Sequence, residues 1–309
     1  MVVEAGGAVE DKRGRSIAVN PPRPRMPSLN ALKAFEAAAR HESFAKAAVE
    51  LGVTPAAVSH LIKTLEEWLG AELFVRRPQG LHLTEPAKSA MGAFVAAFDA
   101  LGSAVQDLRV AAPSPQIRIA ALPSVAQLWL APKLSALRTA FPEARPSVDA
   151  IEEPPDFRRE PFDLGFFFLR ESRKGCRSFA LRGDVIFPAC APGIAATLQS
   201  PADLAAHPLL WDTTWSGDWR RWLTVAGLSN MTINEGPAFS LYGLAVHAAV
   251  EGAGVLMAHE TLVSAHLDSG ALVAPFDLKA ATGLRLELLA PDKPSPLTAK
   301  LIDWFVAKS

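Results

Sequence analysis

The sequence predicts an α/β protein in three parts: a mainly helical N-terminal winged helix-turn-helix, a long linker helix and a C-terminal α/β region. Three observations predict it. Capped helices and a basic hairpin follow one another near the N-terminus, an apolar heptad runs through residues 87–108, and strand-like and helical runs alternate from there to the end.

The chain of 309 residues exceeds one ordinary domain, and half of its residues are apolar, which excludes a largely disordered protein. No stretch reaches the length of a membrane span; the nearest, Met91 to Val105, carries Asp99. Arg and Pro occupy the N-terminal region where a signal peptide needs an apolar run, and Cys176 and Cys190 make no disulfide framework. A cytoplasmic protein without membrane contact is expected. The net charge of −1 shows no nucleic-acid preference, so any DNA contact must come from local clusters.

Residues 1–25 mix Lys12, Arg13, Arg15, Arg23 and Arg25 with Glu4, Glu10 and Asp11 and lack apolar periodicity, the pattern of a disordered tail. The tail reads equally as a DNA-seeking arm or as an extension of the reading frame upstream of Met26. From Ser28 a cap precedes Leu29, Leu32, Phe35 and Ala39 on one helix face. Ser43 caps a second helix from Phe44 to Leu51, ended by Gly52. Thr54-Pro55 starts a third helix to about Leu69, with a hydroxyl for the orphan amides and then a residue that has none. Val58, Leu61, Ile62, Leu65 and Leu69 form its apolar stripe. The opposite face carries Ala56, His60, Lys63 and Glu67, flanked by Ser59 on one side and Ala57 on the other. Small residues there permit close approach to a major groove, where Ser59 and His60 bond base edges and Lys63 reaches a guanine or a phosphate. Alone, such a face is what any solvated helix shows. A hairpin follows, Leu73-Phe74-Val75 and Leu81-His82-Leu83 around a turn bearing Arg76 and Arg77, which places positive charge beside the helix-turn-helix.

The run Leu29-Asn30-Ala31-Leu32-Lys33-Ala34-Phe35, then Ser43-Phe44-Ala45-Lys46-Ala47-Ala48, Leu51 to Leu65, and Leu73-Phe74-Val75-Arg76-Arg77 through Leu83-Thr84 resembles the LysR-type transcriptional regulators. The spacing is similar to the branch that contains the glycine-cleavage and β-lactamase regulators. Pro86 departs from that pattern, where the family more often has Ala or Gly; Thr84 remains able to cap the next helix.

Ala87, Met91, Phe94, Phe98, Leu101, Val105 and Leu108 alternate at four- and three-residue spacings, a coiled-coil seam, and Pro113 and Pro115 close the helix. Met91, Phe94, Phe98, Leu101 and Val105 are the expected dimerisation residues, and the resemblance implies the same pairing, with tetramers also common in the family. The expected organisation is a tail (1–25), a DNA-binding domain (26–84), a linker helix (85–112) and a regulatory domain (113–309).

Beyond the hinge, strands are expected at 117–121, 146–151, 164–168, 184–189, 255–257 and 284–289. Helices are expected at 128–140, 218–226, 241–251, 259–267 and 297–306, giving a mainly parallel sheet. The resemblance implies two subdomains like a periplasmic binding protein, the first at 116–187 and 272–309 and the second at 188–271, with crossings near Pro188 and Leu272 and the ligand between them. Sheets of this kind bind ligands beyond the carboxyl ends of strands. Ser124 follows the first strand there and reads equally as a ligand contact or a simple helix cap; Thr213 and Thr214 follow the run 208–211 and read equally as cleft or turn residues, and Phe239, Ser240 and Tyr242 open a helix that the resemblance places by the cleft. The expected effector is a small organic anion, and Trp211, Trp215, Trp219 and Trp222 serve either to cover its apolar body or as core.

Enzyme signatures are missing: there is no G-x-S-x-G elbow, Walker loop or H-E-x-x-H. Gly252-Ala253-Gly254 follows a helix and precedes a strand, the reverse of the nucleotide-binding order. The seven histidines, His259 and His266 included, show no metal-ligand spacing, so no metal or cofactor is expected. Cys190 lies in an apolar run and reads as an inert thiol rather than a redox switch. The resemblance therefore implies a transcription regulator whose partners are promoter DNA, a small-molecule effector, further copies of itself and, indirectly, RNA polymerase.

Overall fold

The computed structural model describes residues 26–77, 80–111 and 114–308, together with two short antiparallel strands, β1 (Val9–Glu10) and β2 (Ser16–Ile17). The rest of the tail expected to be disordered lies outside the described residues, as does Pro113. Two compact units divide between Phe98 and Asp99.

In the first unit the caps predicted for the first three helices are made. Ser28 Oγ accepts from Ala31 N ahead of α1 (Leu29–His41), Ser43 Oγ accepts from Lys46 N ahead of α2 (Phe44–Leu51), and Thr54 Oγ1 accepts from Ala57 N ahead of α3 (Pro55–Leu69). Val58, Ile62 and Leu65 are buried against Ala34, Phe35 and Ala38 of α1, and Leu61 is half-buried. Leu69 departs from the expected stripe: it is exposed, because the helix ends beside it at the left-handed Gly70. Arg40 joins α1 to α2 by donating to Glu36 and, at 2.6 Å, to Glu50. The Arg40 guanidinium holds the Glu50 carboxyl below its ordinary range. Glu66 of α3 accepts from the amides of Leu73 (2.7 Å) and Phe74 (3.3 Å), fixing the wing formed by β3 (Phe74–Arg77) and β4 (Gly80–Leu83). The Thr84 hydroxyl donates to the Glu72 carbonyl instead of capping, tying β4 back to the start of the wing before α4 (Glu85–Ala111).

The second unit is built on one eight-stranded sheet. In chain order come β5 (Gln116–Ala121), the helical stretch α5 (Pro123–Val125) to α6 (Leu134–Ala140), β6 (Arg145–Ala150), β7 (Leu164–Leu169) and β8 (Arg177–Ala189). Between α5 and α6 the helix relaxes into a π turn at Ala126–Leu130, where Pro132 has no N–H to give the ladder. Then follow α7 (Pro192–Ala195), β9 (Leu209–Asp212), α8 (Asp218–Val225), β10 (Glu235–Phe239), α9 (Tyr242–Val250), β11 (Val255–His259), α10 (Glu260–Asp268), β12 (Ala280–Ala290) and α11 (Pro296–Ala307).

The strand order is β10-β9-β11-β8-β12-β7-β5-β6. The sheet is mixed rather than mainly parallel, because β8 and β12 carry the chain across and back and so run antiparallel to each other. β8 pairs with β12 up to Ile186 and with β11 from Ile186 to Ala189. The return crossing is not at Leu272: Val273 bridges Cys190, and Phe276 and Leu278 pack with Trp222 in the second lobe. It falls inside β12, where the register breaks between Ala281 and Arg285 at Gly283 (φ 75°). β10 escapes the sequence signal because it contains Gly236 and Pro237, which an edge strand tolerates.

Trp219, Trp222, Leu209 and Met257 form the core beneath the second lobe, and Trp129, Phe166 and Phe305 pack in the larger core. A tight approach fixes the entry to β11: Val255 N donates to Pro208 O, and a Cβ on Gly254 would lie 2.3 Å from that oxygen. Gly254→Ala is therefore expected to destabilise this unit by about 1–3 kcal/mol. Gly217→Ala, with nothing within 4 Å of its Cβ, is expected to stay within about 0.5 kcal/mol. Thermal unfolding of the two variants checks this, and equal midpoints would show that the Pro208 turn yields.

Candidate DNA-binding face and effector pocket

The third helix presents Ala56, Ser59, His60 and Lys63 to solvent, on the side opposite the buried Val58, Ile62 and Leu65. Lys63 Nζ lies 3.9 Å from Glu67, an exposed pair too weak to hold the ammonium away from a phosphate. The backbones of Arg76 and Arg77 end β3 opposite Leu81 and Gly80; their side chains and the tip at 78–79 lie outside the described residues.

The heptad of α4 splits. Met91, Phe94 and Phe98 pack on the first unit's own core, Phe94 edge-on to Phe35 with centroids 5.1 Å apart. Leu101, Val105 and Leu108 are 46%, 50% and 73% exposed. The apolar edge of α1, at Leu32 and Phe35, takes up the first part of the seam and leaves the second part bare.

In the second unit, Ser124, Thr214 and Ser240 come together around a shallow, open pocket of about 20 Å³, completed by Leu122, Pro123, Glu152, Trp215, Leu241 and Tyr242. Ser124 is buried and its hydroxyl has no partner among the described residues. Thr213 and Phe239 do not line the pocket: the Thr213 amide donates to the Phe239 carbonyl and extends the β9–β10 ladder. Asp212 shapes the rim, its Oδ1 accepting from the amides of Thr214 (2.8 Å) and Trp215 (3.0 Å). Burial pushes the Asp212 carboxyl up. Of the four tryptophans, Trp215 reaches the pocket, whereas Trp219 and Trp222 are core, with indole N–H groups on the carbonyls of Leu210 and Leu278.

Behind Trp215 lies a buried cluster that periodicity and spacing do not reveal. His259 closes β11 with ring nitrogens between two carboxylates, Nδ1 at 2.9 Å from Asp184 and Nε2 at 3.1 Å from Asp218, the latter an ion-pair contact without the alignment of a hydrogen bond. Trp215 packs against the imidazole with centroids 4.0 Å apart. The Tyr242 hydroxyl donates to Met257 O and accepts from His259 N, and burial raises its pKa. Burial opposes an imidazolium, but the Asp184 and Asp218 carboxylates outweigh it and raise the His259 pKa. The sequence offered only a lone histidine, since its partners are 75 and 41 positions away.

A larger cavity of about 150 Å³ lies at the C-terminal half of α4, where Lys293 is paired with Asp107 and Arg158 with Asp156. The unpartnered Ser124 hydroxyl marks the smaller pocket as the better site. Both cysteines are free; burial pushes the Cys190 thiol up to about 11 and raises that of Cys176, which suits inert thiols.

A winged helix-turn-helix with a groove-sized polar helix face, followed by a two-lobed α/β domain with a pocket between its lobes, defines a ligand-responsive transcription regulator. Residues 29–88 match the bacterial regulatory helix-turn-helix protein, lysR family, and residues 111–309 match the LysR substrate binding domain. The chain is similar to the glycine cleavage system transcriptional activator of Escherichia coli strain K12, 35% identical over 92% of this chain and 95% of that one. It is also similar to the transcriptional activator AmpR of Pseudomonas aeruginosa, 34% identical over 84% of this chain and 88% of that one. The fold matches the effector domain of Pseudomonas aeruginosa AmpR at TM-score 0.53 and 23% identity, over 62% of this chain and 94% of that one. It matches the full-length Vibrio cholerae virulence activator AphB at TM-score 0.54 and 18% identity, over 91% of this chain and 99% of that one. The chain belongs to the LysR family of transcriptional regulators, and it is not an enzyme.

The His259 cluster predicts a pH dependence of stability. The folded-state pKa stands above the ordinary 6.5, so the stabilisation is complete below about pH 6.5 and is lost as pH rises through the folded value. Denaturation midpoints measured from about pH 5.5 to 9 are expected to fall more steeply in the wild type than in His259→Gln. Parallel profiles would show that the imidazole is neutral in the folded protein.

Proposed function

We propose that this LysR regulator acts in the cytoplasm as a dimer, or as a dimer of dimers. It binds promoter DNA through Ala56, Ser59, His60, Lys63, Arg76 and Arg77 and touches RNA polymerase only indirectly. A small organic effector with an acidic group occupies the pocket at Ser124, Thr214 and Ser240. The observation that carries the effector assignment is the buried, unpartnered Ser124 hydroxyl, since a buried donor left unbonded costs about 1–3 kcal/mol unless a ligand or water meets it. Effector binding shifts the balance between lobe arrangements to the extent that one binds better, and α4 belongs to both units. Among the described residues no helix is long and apolar enough to cross a membrane.

The bare stripe Leu101, Val105 and Leu108 supports pairing through the second part of α4, with Met91, Phe94 and Phe98 supporting it from the first unit's core. Val105→Glu is expected to move the mass in light scattering towards the monomer without lowering the thermal midpoint of the first unit. An unchanged mass would leave the stripe without this role.

In band shifts with the DNA upstream of its own gene, Lys63→Ala and Arg76→Ala are each expected to weaken binding. A phosphate contact by Arg76 predicts the same loss on all sequences and a salt slope smaller by about one. Wild-type affinity in both variants would move the interface off this face.

A further inference from the structure

The pocket at Ser124 is built for more than an acidic group. Among its lining residues the one charged side chain is Glu152, just beyond β6, and among the described residues it has no ion pair or hydrogen bond of its own. A carboxylate standing alone at the rim of a partly apolar pocket favours a cation and penalises a second negative charge brought close to it. The buried cluster behind Trp215 does not offset this charge: the carboxylates of Asp184 and Asp218 face His259, whose pKa they raise, with Arg221 at 3.9 Å from Asp218, while burial pushes the Asp212 carboxyl up. Glu152 therefore sets the sign of the pocket, and no Lys or Arg lines it. A ligand that brought only an acidic group would meet hydroxyl donors but also this unfavourable field.

We infer that the effector is a small zwitterion of the amino-acid type, its ammonium paired with Glu152 and its carboxylate on the Ser124 hydroxyl side of the pocket. This rests on the assignment of the effector to the Ser124 pocket. The pocket is shallow and open to solvent, with about 20 Å³ of enclosed space, so a ligand there is small and stays partly solvated, and Trp215 and Leu241 supply the apolar wall for a short side chain. Glu152 thus acts as the residue that selects for the amino group.

The test uses the full-length protein and calorimetric titration with alanine, propanoate and N-acetylalanine, the latter two lacking the ammonium. Alanine is expected to bind at least tenfold more tightly than either. Glu152→Gln is expected to reduce alanine affinity about tenfold, to the level of propanoate, while leaving propanoate unchanged or improved. Ser124→Ala is expected to weaken all three. Equal binding of alanine and propanoate, or an alanine affinity indifferent to Glu152→Gln, overturns the zwitterion while leaving the pocket assignment standing if Ser124→Ala still weakens both. Binding that ignores Ser124→Ala as well, or no binding of any of the three, overturns the inference, and the first of these also removes the effector from this pocket.

Discussion

Two strands must cross between the lobes of the regulatory domain, and the bulge in β12 at residues 282–284 is where that crossing is fastened. The Thr282 hydroxyl donates to Asp184 Oδ2 at 2.8 Å, and its carbonyl accepts from Arg170 of one lobe and Arg221 of the other. Asp184 in turn holds the His259 ring, and His259 carries Trp215 on its face. Buried charges of this kind are tolerated only when each has partners. The pocket wall, the end of β11 and both crossing strands are consequently tied to one polar node, and Trp215 is the piece of it that lines the pocket.

The DNA-binding unit is held differently. Its core is small and rich in alanine, so its geometry leans on local devices: three hydroxyl caps, left-handed glycines after α2 and α3, and Glu66 gripping the wing amides. Each is worth of the order of 1 kcal/mol. Together they orient the wing relative to α3, the geometry on which the proposed DNA contact relies.

The long helix α4 divides its surface between these two kinds of packing. Its first turns contribute Ala87, Met91 and Phe94 to the core of the first unit. Its later turns meet the loop at 156–160 closely enough that a Cβ on Gly102 would lie 2.1 Å from the Arg158 carbonyl, with Asp99 paired to Arg159 at 2.8 Å. What remains uncovered is the short stripe from Leu101 to Leu108, a smaller apolar seam than the uninterrupted heptad suggests.

Local chemistry determined the helix starts and stops of the first unit, the polar face of α3, the wing and the length of α4, because caps, glycine turns and 3.6-residue periodicity act over neighbouring residues and are written in adjacent letters. The approximate position of Ser124 and Thr214 followed from strand ends for the same reason. Tertiary structure alone decided the rest. The antiparallel crossing strands, the edge strand with Gly236 and Pro237, and the division of the α4 heptad depend on which surface happens to lie opposite. The His259 cluster is the clearest case: Asp184, Asp218, His259 and Thr282 come from four separate elements, and only the packing that excludes water from between them turns ordinary polar residues into a buried charge network.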